Sequence, residues 1–86
     1  MSIIKVAHDS RTKLVAGSIA HAVRQTGRAE VQAIGAGALN QSIKALTYAI
    51  EYLAEDGINA ICIPSRTMVM INGQARTAIR LIIEPR

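Results

Sequence analysis

Two glycines separated by one alanine stand between a strand-like run and the longest helical pattern of the chain, in Ile34-Gly35-Ala36-Gly37-Ala38-Leu39-Asn40-Gln41-Ser42-Ile43-Lys44-Ala45. A strand-to-helix junction with no side chains on its first turn leaves N–H groups free at the positive end of the helix dipole. Such an arrangement suits phosphate or another anion. The spacing is neither the dinucleotide fingerprint nor a Walker loop, because the third glycine is missing and no Gly-Lys-Ser/Thr follows. Gly35 and Gly37 can equally serve only to turn the strand tightly into the helix. Both uses stay open at this point.

Other chemistry finds little support. His8 and His21 have no cysteine or carboxylate at metal-ligand spacing, so neither a metal site nor a cofactor is expected. No serine sits in a nucleophile elbow, no pair of carboxylates is placed for acid–base work, and Cys62 lies between Ile61 and Ile63, where a buried, inert thiol is the ordinary outcome. The expectation is a protein that is not an enzyme. Glu51, Glu55 and Asp56 gather at the end of the second helical pattern, where they oppose its dipole without resembling a catalytic group.

The totals set bounds. A chain of 86 residues makes one domain, 1–86, with a modest core, and at this size roughly 60 to 65% of the unfolded surface is buried. Half of the residues are apolar, yet Trp and Phe are absent, so the core must be assembled from Ile, Leu, Val and Ala in thin layers of helix on sheet. Ten basic against six acidic side chains leave a net charge of +4, which favours acidic partners. A single cysteine cannot form an internal disulfide, and a reducing, cytoplasmic setting fits. Lys5 and Asp9 interrupt any signal-peptide pattern at the start, and no apolar run has the length of a membrane span, so no membrane partner is expected.

The elements that must position the junction follow from periodicity. Ile3, Ile4 and Val6 around Lys5 read as a first strand ending near Ala7, and Ser10 or Asp9 is placed to cap the helix that follows. From Thr12 to Thr26, Val15, Ile19, Ala22 and Val23 recur at helical spacing, and Gly27 closes the pattern. The opposite face of this helix carries Lys13, Gly17, His21 and Arg24, with Leu14 as an apolar residue among them. Gly17 weakens the helix by about 1 kcal/mol against alanine, which close approach of another backbone or of a ligand would explain, as would ordinary packing. Residues 30–34 form the second strand, and a helix from about Ala36 to Glu55 is stopped by Asp56-Gly57. Leu39, Ile43, Leu46, Ile50 and Leu53 line its expected core stripe, with Ala38, Ala45 and Ala49 beside it. Tyr48 and Tyr52 fall away from that stripe, where they could stack on bases, bury themselves against a second subunit or have no role. With Leu14 and a small aliphatic core they predict uncovered apolar surface and a homo-oligomer, either a dimer or a dimer of dimers.

Residues 59–64 begin a third strand that extends through 66–71 to Asn72-Gly73, a strong hairpin signal, and a fourth strand follows over 75–84. A two-residue turn would set Arg66 opposite Ile79 and Ile61 opposite Glu84, mixing charge with core. A three-residue bulged turn that takes Gln74 into the loop avoids this. It pairs Ile63 with Ile83, Thr67 with Ile79, Arg66 with Arg80 and Met70 with Arg76, and so predicts three arginines on one face. Like charges so placed gain from an anionic partner.

The chain resembles the stage V sporulation protein S family over nearly its whole length. The resemblance is carried by Val15-Ala16-Gly17-Ser18-Ile19-Ala20, by Glu30-Val31-Gln32-Ala33-Ile34-Gly35-Ala36-Gly37-Ala38-Leu39-Asn40-Gln41, by Ile61-Cys62-Ile63-Pro64, and by Arg76-Thr77-Ala78-Ile79 through Glu84-Pro85-Arg86. That family is similar in fold to the Alba group of small chromatin and RNA-binding proteins. The resemblance therefore implies an Alba-like α/β (α+β two-layer) fold in β-α-β-α-β-β order, a mixed four-stranded sheet with two helices on one face. It also implies that nucleic acid, DNA or RNA, is gripped from a dimer by the loop before the second helix and by the β-hairpin arm. These are residues 35–44, with Gly35, Gly37, Asn40 and Lys44, and residues 66–80, with Arg66, Arg76 and Arg80. The first loop departs from that pattern, contributing Arg11 and Lys13 in place of the adjacent lysine pair found in many Alba proteins. A regulatory role in bacterial spore development and coat assembly is implied with them; the rival is a protein-interaction module of the same fold that binds no nucleic acid, and a third reading is a small-anion or nucleotide sensor that uses the Gly35/Gly37 junction alone.

Overall fold

The element order expected from periodicity is the order found. In the computed structural model, which describes residues 3–86, the chain runs β1 (Ile3–Val6), α1 (Thr12–Thr26), β2 (Ala29–Ala33), α2 (Ala36–Glu55), β3 (Ala60–Ile71) and β4 (Gln74–Pro85). The four strands form one sheet in the order β1-β2-β4-β3, with β1 parallel to β2 and the other neighbours antiparallel. A parallel pair needs a crossover, which α1 supplies, and α2 then carries the chain to the edge strand β3.

The C-terminal ends of the helices follow capping chemistry, and the N-terminal ends carry no side-chain cap among the described residues. α1 closes where Gly27 takes φ 79° and its N–H donates to the carbonyl of Val23 at 2.8 Å. Its start departs from expectation, since neither Asp9 nor Ser10 caps it. Arg11 holds the N-cap position without a side-chain bond, and the Ser10 hydroxyl instead accepts the N–H of Ala7 at 2.8 Å, closing the turn after β1. At the other end of α2, the Arg24 guanidinium pairs with Asp56 and donates to the carbonyl of Tyr52 at 3.1 Å. A cation from α1 thus offsets the acids at the negative end of the α2 dipole.

The core lies between the helices and one face of the sheet. Val6, Ala29, Val31, Leu81 and Ile83 pack against Ile19 and Val23 of α1 and against Leu46 and Leu53 of α2. On each strand these residues alternate, so they share one face and both helices cover it. The contact between helices is made of small residues: Ala16, Ala20, Ala45 and Ala49 are wholly buried. Val15 and Ala22, expected in the α1 stripe, are half-buried at its margins. Helices that touch through alanine approach closely, and this contact sets the rotation of α2 about its axis. Ser42 turns inward with its hydroxyl donating to the carbonyl of Ala38 at 2.8 Å. Ile43 and Ile50, expected in the core, are 44% and 38% exposed. Tyr48 and Tyr52, expected to face outward, are half-buried against the core instead, and the Lys13 ammonium lies 5.6 Å from the centre of the Tyr48 ring.

The hairpin takes the register that the sequence argument set aside. β3 and β4 pair from Ala60↔Pro85 to Ile71↔Gln74, so the turn is Asn72-Gly73 alone and no bulge forms. Both turn residues are left-handed, with φ 51° and 78°, the geometry of a type I′ turn, for which Asn-Gly is the preferred pair. A shifted register would be favoured only if the paired positions lay in the core. Arg66 is exposed, and Ile61, Ile79 and Glu84 are only half-buried, so little burial opposes the turn. β2 supports β4 only from Ile79 to Ile83, and beyond it the hairpin continues as a two-stranded arm. Arg66, opposite Ile79, shares a face with the helix-side residues of β4, whereas Arg76 and Arg80 lie on the other face. The three arginines are therefore not on one face.

Candidate nucleic-acid interface

Because β1 and β2 are parallel, their C-terminal ends lie together, and α1 and α2 both start from that end of the sheet. β4 reaches it at Ile79, opposite Ala33, so residues 67–78 project from the same end as an arm. Charge divides along this axis. Lys5, Arg11, Lys13, Arg66 and Arg76 belong to the arm end, together with a single acid, Asp9, whereas at the opposite end Arg24, Arg28 and Arg86 stand beside four acids, Glu51, Glu55, Asp56 and Glu84. Asn40 and Lys44 are exposed on α2, about one and two turns beyond its start.

Neither helix start is capped by a side chain, and neither first turn holds an acidic residue. The α2 junction begins at Gly35 with φ 89° and ψ 160°, a backbone that L side chains rarely adopt. At Gly37 the constraint is contact: a Cβ there would lie 2.9 Å from the Cβ of His8 in the β1–α1 loop. Gln41 ties the same two segments together, its amide donating to the carbonyl of Ser10 at 2.8 Å. Both glycines thus have a structural reason, and the first-turn N–H groups of α2 have no side-chain acceptor among the described residues.

The arginines are not equivalent. Arg80 donates to Glu30 at 3.1 Å, so its charge is already partly balanced, and its Nε is buried without a partner. Arg66 and Arg76 are exposed and form no ion pair among the described residues. Arg76 and Arg80 sit on one face of β4 with four residues of rise between them, about 14 Å, which exceeds the screening length of about 8 Å at physiological salt. Their mutual repulsion is therefore weak. Of the residues expected at a subunit interface, Leu14 is 65% exposed, while Tyr48 and Tyr52 are held against the core.

Lys5 and Gln32, which the sequence pattern does not mark as site residues, also lie at this end. Lys5 lies opposite Gln32 in the sheet, and Gln32 lies opposite Arg80, so the three form a row on the face away from the helices. Lys5, Gln32 and His8 also line a cavity of about 670 Å³ whose opposite wall is the arm tip, Val69 to Ile71. Alternation alone places Lys5 outward between the inward Ile4 and Val6. The return of the arm towards it has no local signature. Cys62, half-buried on β3, has its thiol pKa raised above the ordinary value by desolvation.

Fold and site together define a small two-layer α+β domain distinguished by a basic, arm-bearing end. No described helix is long and apolar enough to cross a membrane. The family model of Stage V sporulation protein S (SpoVS) matches residues 2–86, and the chain belongs to that family. Membership supports a sporulation-related role, in a family of sporulation proteins that is not a known enzyme family.

Proposed function

We propose that this protein is a nucleic-acid-binding regulator of spore development, with a role in coat assembly, that holds phosphates at its arm end. The observation that carries the reading is the segregation of charge. Unpaired cations on the first loop, on α2 and on the arm share one end with two uncapped helix N-termini. Arg11, Lys13 and Lys44 supply point charges, the α2 junction supplies backbone N–H groups, and Arg66 and Arg76 reach out along the arm on opposite faces. Arg80 acts mainly on Glu30. Tyr48 and Tyr52 pack against the core, which removes the stacking platform that single-strand binders commonly use, and the reading therefore favours backbone contacts. Filter binding of the full chain to duplex DNA and to RNA at low salt tests the reading: retention of either supports it, and retention of neither refutes it.

A second reading has its own observation. Leu14, Met68 and Met70 are 65%, 61% and 69% exposed, and Ile43 and Ile50 add an apolar stripe on α2. These side chains support a homodimer or tetramer, and without nucleic acid they would support a cytoplasmic protein-interaction module. Light scattering at micromolar concentration distinguishes a monomer from either assembly.

A further inference from the structure

The cavity between the arm tip and the sheet has two unlike walls. One is mixed and, among the described residues, free of carboxylates: the Lys5 ammonium, the His8 imidazole, the Gln32 amide and the backbone of Gly35 and Gly37 stand among the apolar Ile3, Val6, Ala7, Ile34 and Ala38. The other is apolar and formed by Val69, Met70 and Ile71. Lys5 and Gln32 are neighbours across β1 and β2, so the cationic wall rests on sheet rather than on loop. At about 670 Å³ the space falls within the range of small-molecule sites and well above that of a single phosphate.

We propose that this cavity is a binding site for a nucleoside phosphate. An inorganic anion would satisfy Lys5 and the first-turn N–H groups of α2 but leave the apolar arm wall uncovered. A purely apolar ligand would cover the arm and desolvate Lys5 without compensation. A nucleoside phosphate meets both walls. Its phosphate faces Lys5 and the start of α2, its ring lies flat against Val69 to Ile71, and Gln32 and His8 offer hydrogen-bonding groups to base or sugar. Because the arm tip forms one wall, occupancy also fixes the arm relative to the sheet. The site shares the phosphate-binding junction of the proposed interface but does not depend on Arg66 or Arg76, which do not line it.

The same chemistry is offered by a free mononucleotide and by the terminal nucleotide of a strand. Calorimetry of the full chain with adenosine 5′-monophosphate, adenosine and inorganic phosphate, and with a 5′-phosphorylated trinucleotide, separates these sources. The expected result is saturable binding of the mononucleotide with Kd below about 1 mM and weaker binding of adenosine and of phosphate. Lys5→Gln, at an exposed strand position, is expected to weaken mononucleotide binding about tenfold or more, the effect of losing a charge-assisted hydrogen bond. Arg76→Ala is expected to leave it unchanged. Tighter binding of the trinucleotide than of the mononucleotide assigns the site to a strand end, and the reverse assigns it to a free nucleotide. No mononucleotide binding at millimolar concentration, equal affinity for inorganic phosphate, or indifference to Lys5→Gln in a variant with parental circular dichroism overturns the proposal. Duplex binding without mononucleotide binding rejects the pocket and leaves the interface standing. Mononucleotide binding without any polymer binding does the opposite.

Discussion

Ala36 is the first helical residue of α2, exposed, and followed by no acid in the first turn. Replacing it by glutamate, Ala36→Glu, separates the needs of the helix from those of a phosphate. A carboxylate at a helix N-terminus stabilises by about 0.3–1 kcal/mol. For a domain of this size 1 kcal/mol moves Tm by about 4–8 °C, so Tm is expected to rise by about 1–8 °C. The same carboxylate occupies the place proposed for a phosphate. Even with the full dielectric of water, two like charges about 4 Å apart repel by about 1 kcal/mol, which weakens binding about fivefold, and loss of one phosphate contact lowers the salt slope by about 0.9 on duplex. Thermal unfolding and fluorescence anisotropy on one preparation read both numbers. A variant that gains stability and binds nucleic acid as the parent does would show that the junction only turns the chain. A fall in Tm would refute the claim that this helix end lacks an acceptor.

Other perturbations test separate links. Arg66→Ala with Arg76→Ala should lower the duplex salt slope by about 2, whereas Arg80→Ala should change it by much less, because Glu30 already pairs with Arg80; equal slopes for the two variants would contradict this. Nuclear Overhauser contacts should join the Hα of Arg66 to that of Ile79 and the Hα of Met68 to that of Thr77, and a contact from Arg66 to Arg80 would mean the bulged register. Leu53→Ala, at a side chain with no exposed surface, should destabilise by about 2–5 kcal/mol in chemical unfolding, and a change under 1 kcal/mol would place Leu53 outside the core. Cys62 should react with a thiol reagent at pH 8 more slowly than a free cysteine, because the raised pKa leaves less thiolate, and should speed up on unfolding; equal rates would mean that burial is not felt.

Helix limits were legible because they rest on local chemistry: Gly27 and Asp56-Gly57 end their helices whatever packs around them. The hairpin turn was legible too, yet its register was misread, since the apolar alternation of β3 was weighted as core along a stretch that no helix covers. Which face of α2 turns inward was misread for a related reason. A hydrophobic pattern ranks Ile43 and Ile50 above Ser42 and Ala49, whereas close contact between helices favours the smaller side chains. At the candidate site the chain order revealed Gly35 and Gly37 as a junction but not the approach of His8 that requires a glycine at position 37. Nor could it reveal that Glu30 reaches Arg80, fifty positions away. Such long-range contacts decide which cations are free.

Binding of nucleic acid phosphates at the arm end is tested most directly by the dependence of affinity on salt. With about four phosphates neutralised per site, log K should fall against log salt with a slope of about −3 to −4 on duplex, and somewhat less steeply on single strands. Absence of binding to both DNA and RNA at low salt, or an affinity that does not change with salt, would contradict it.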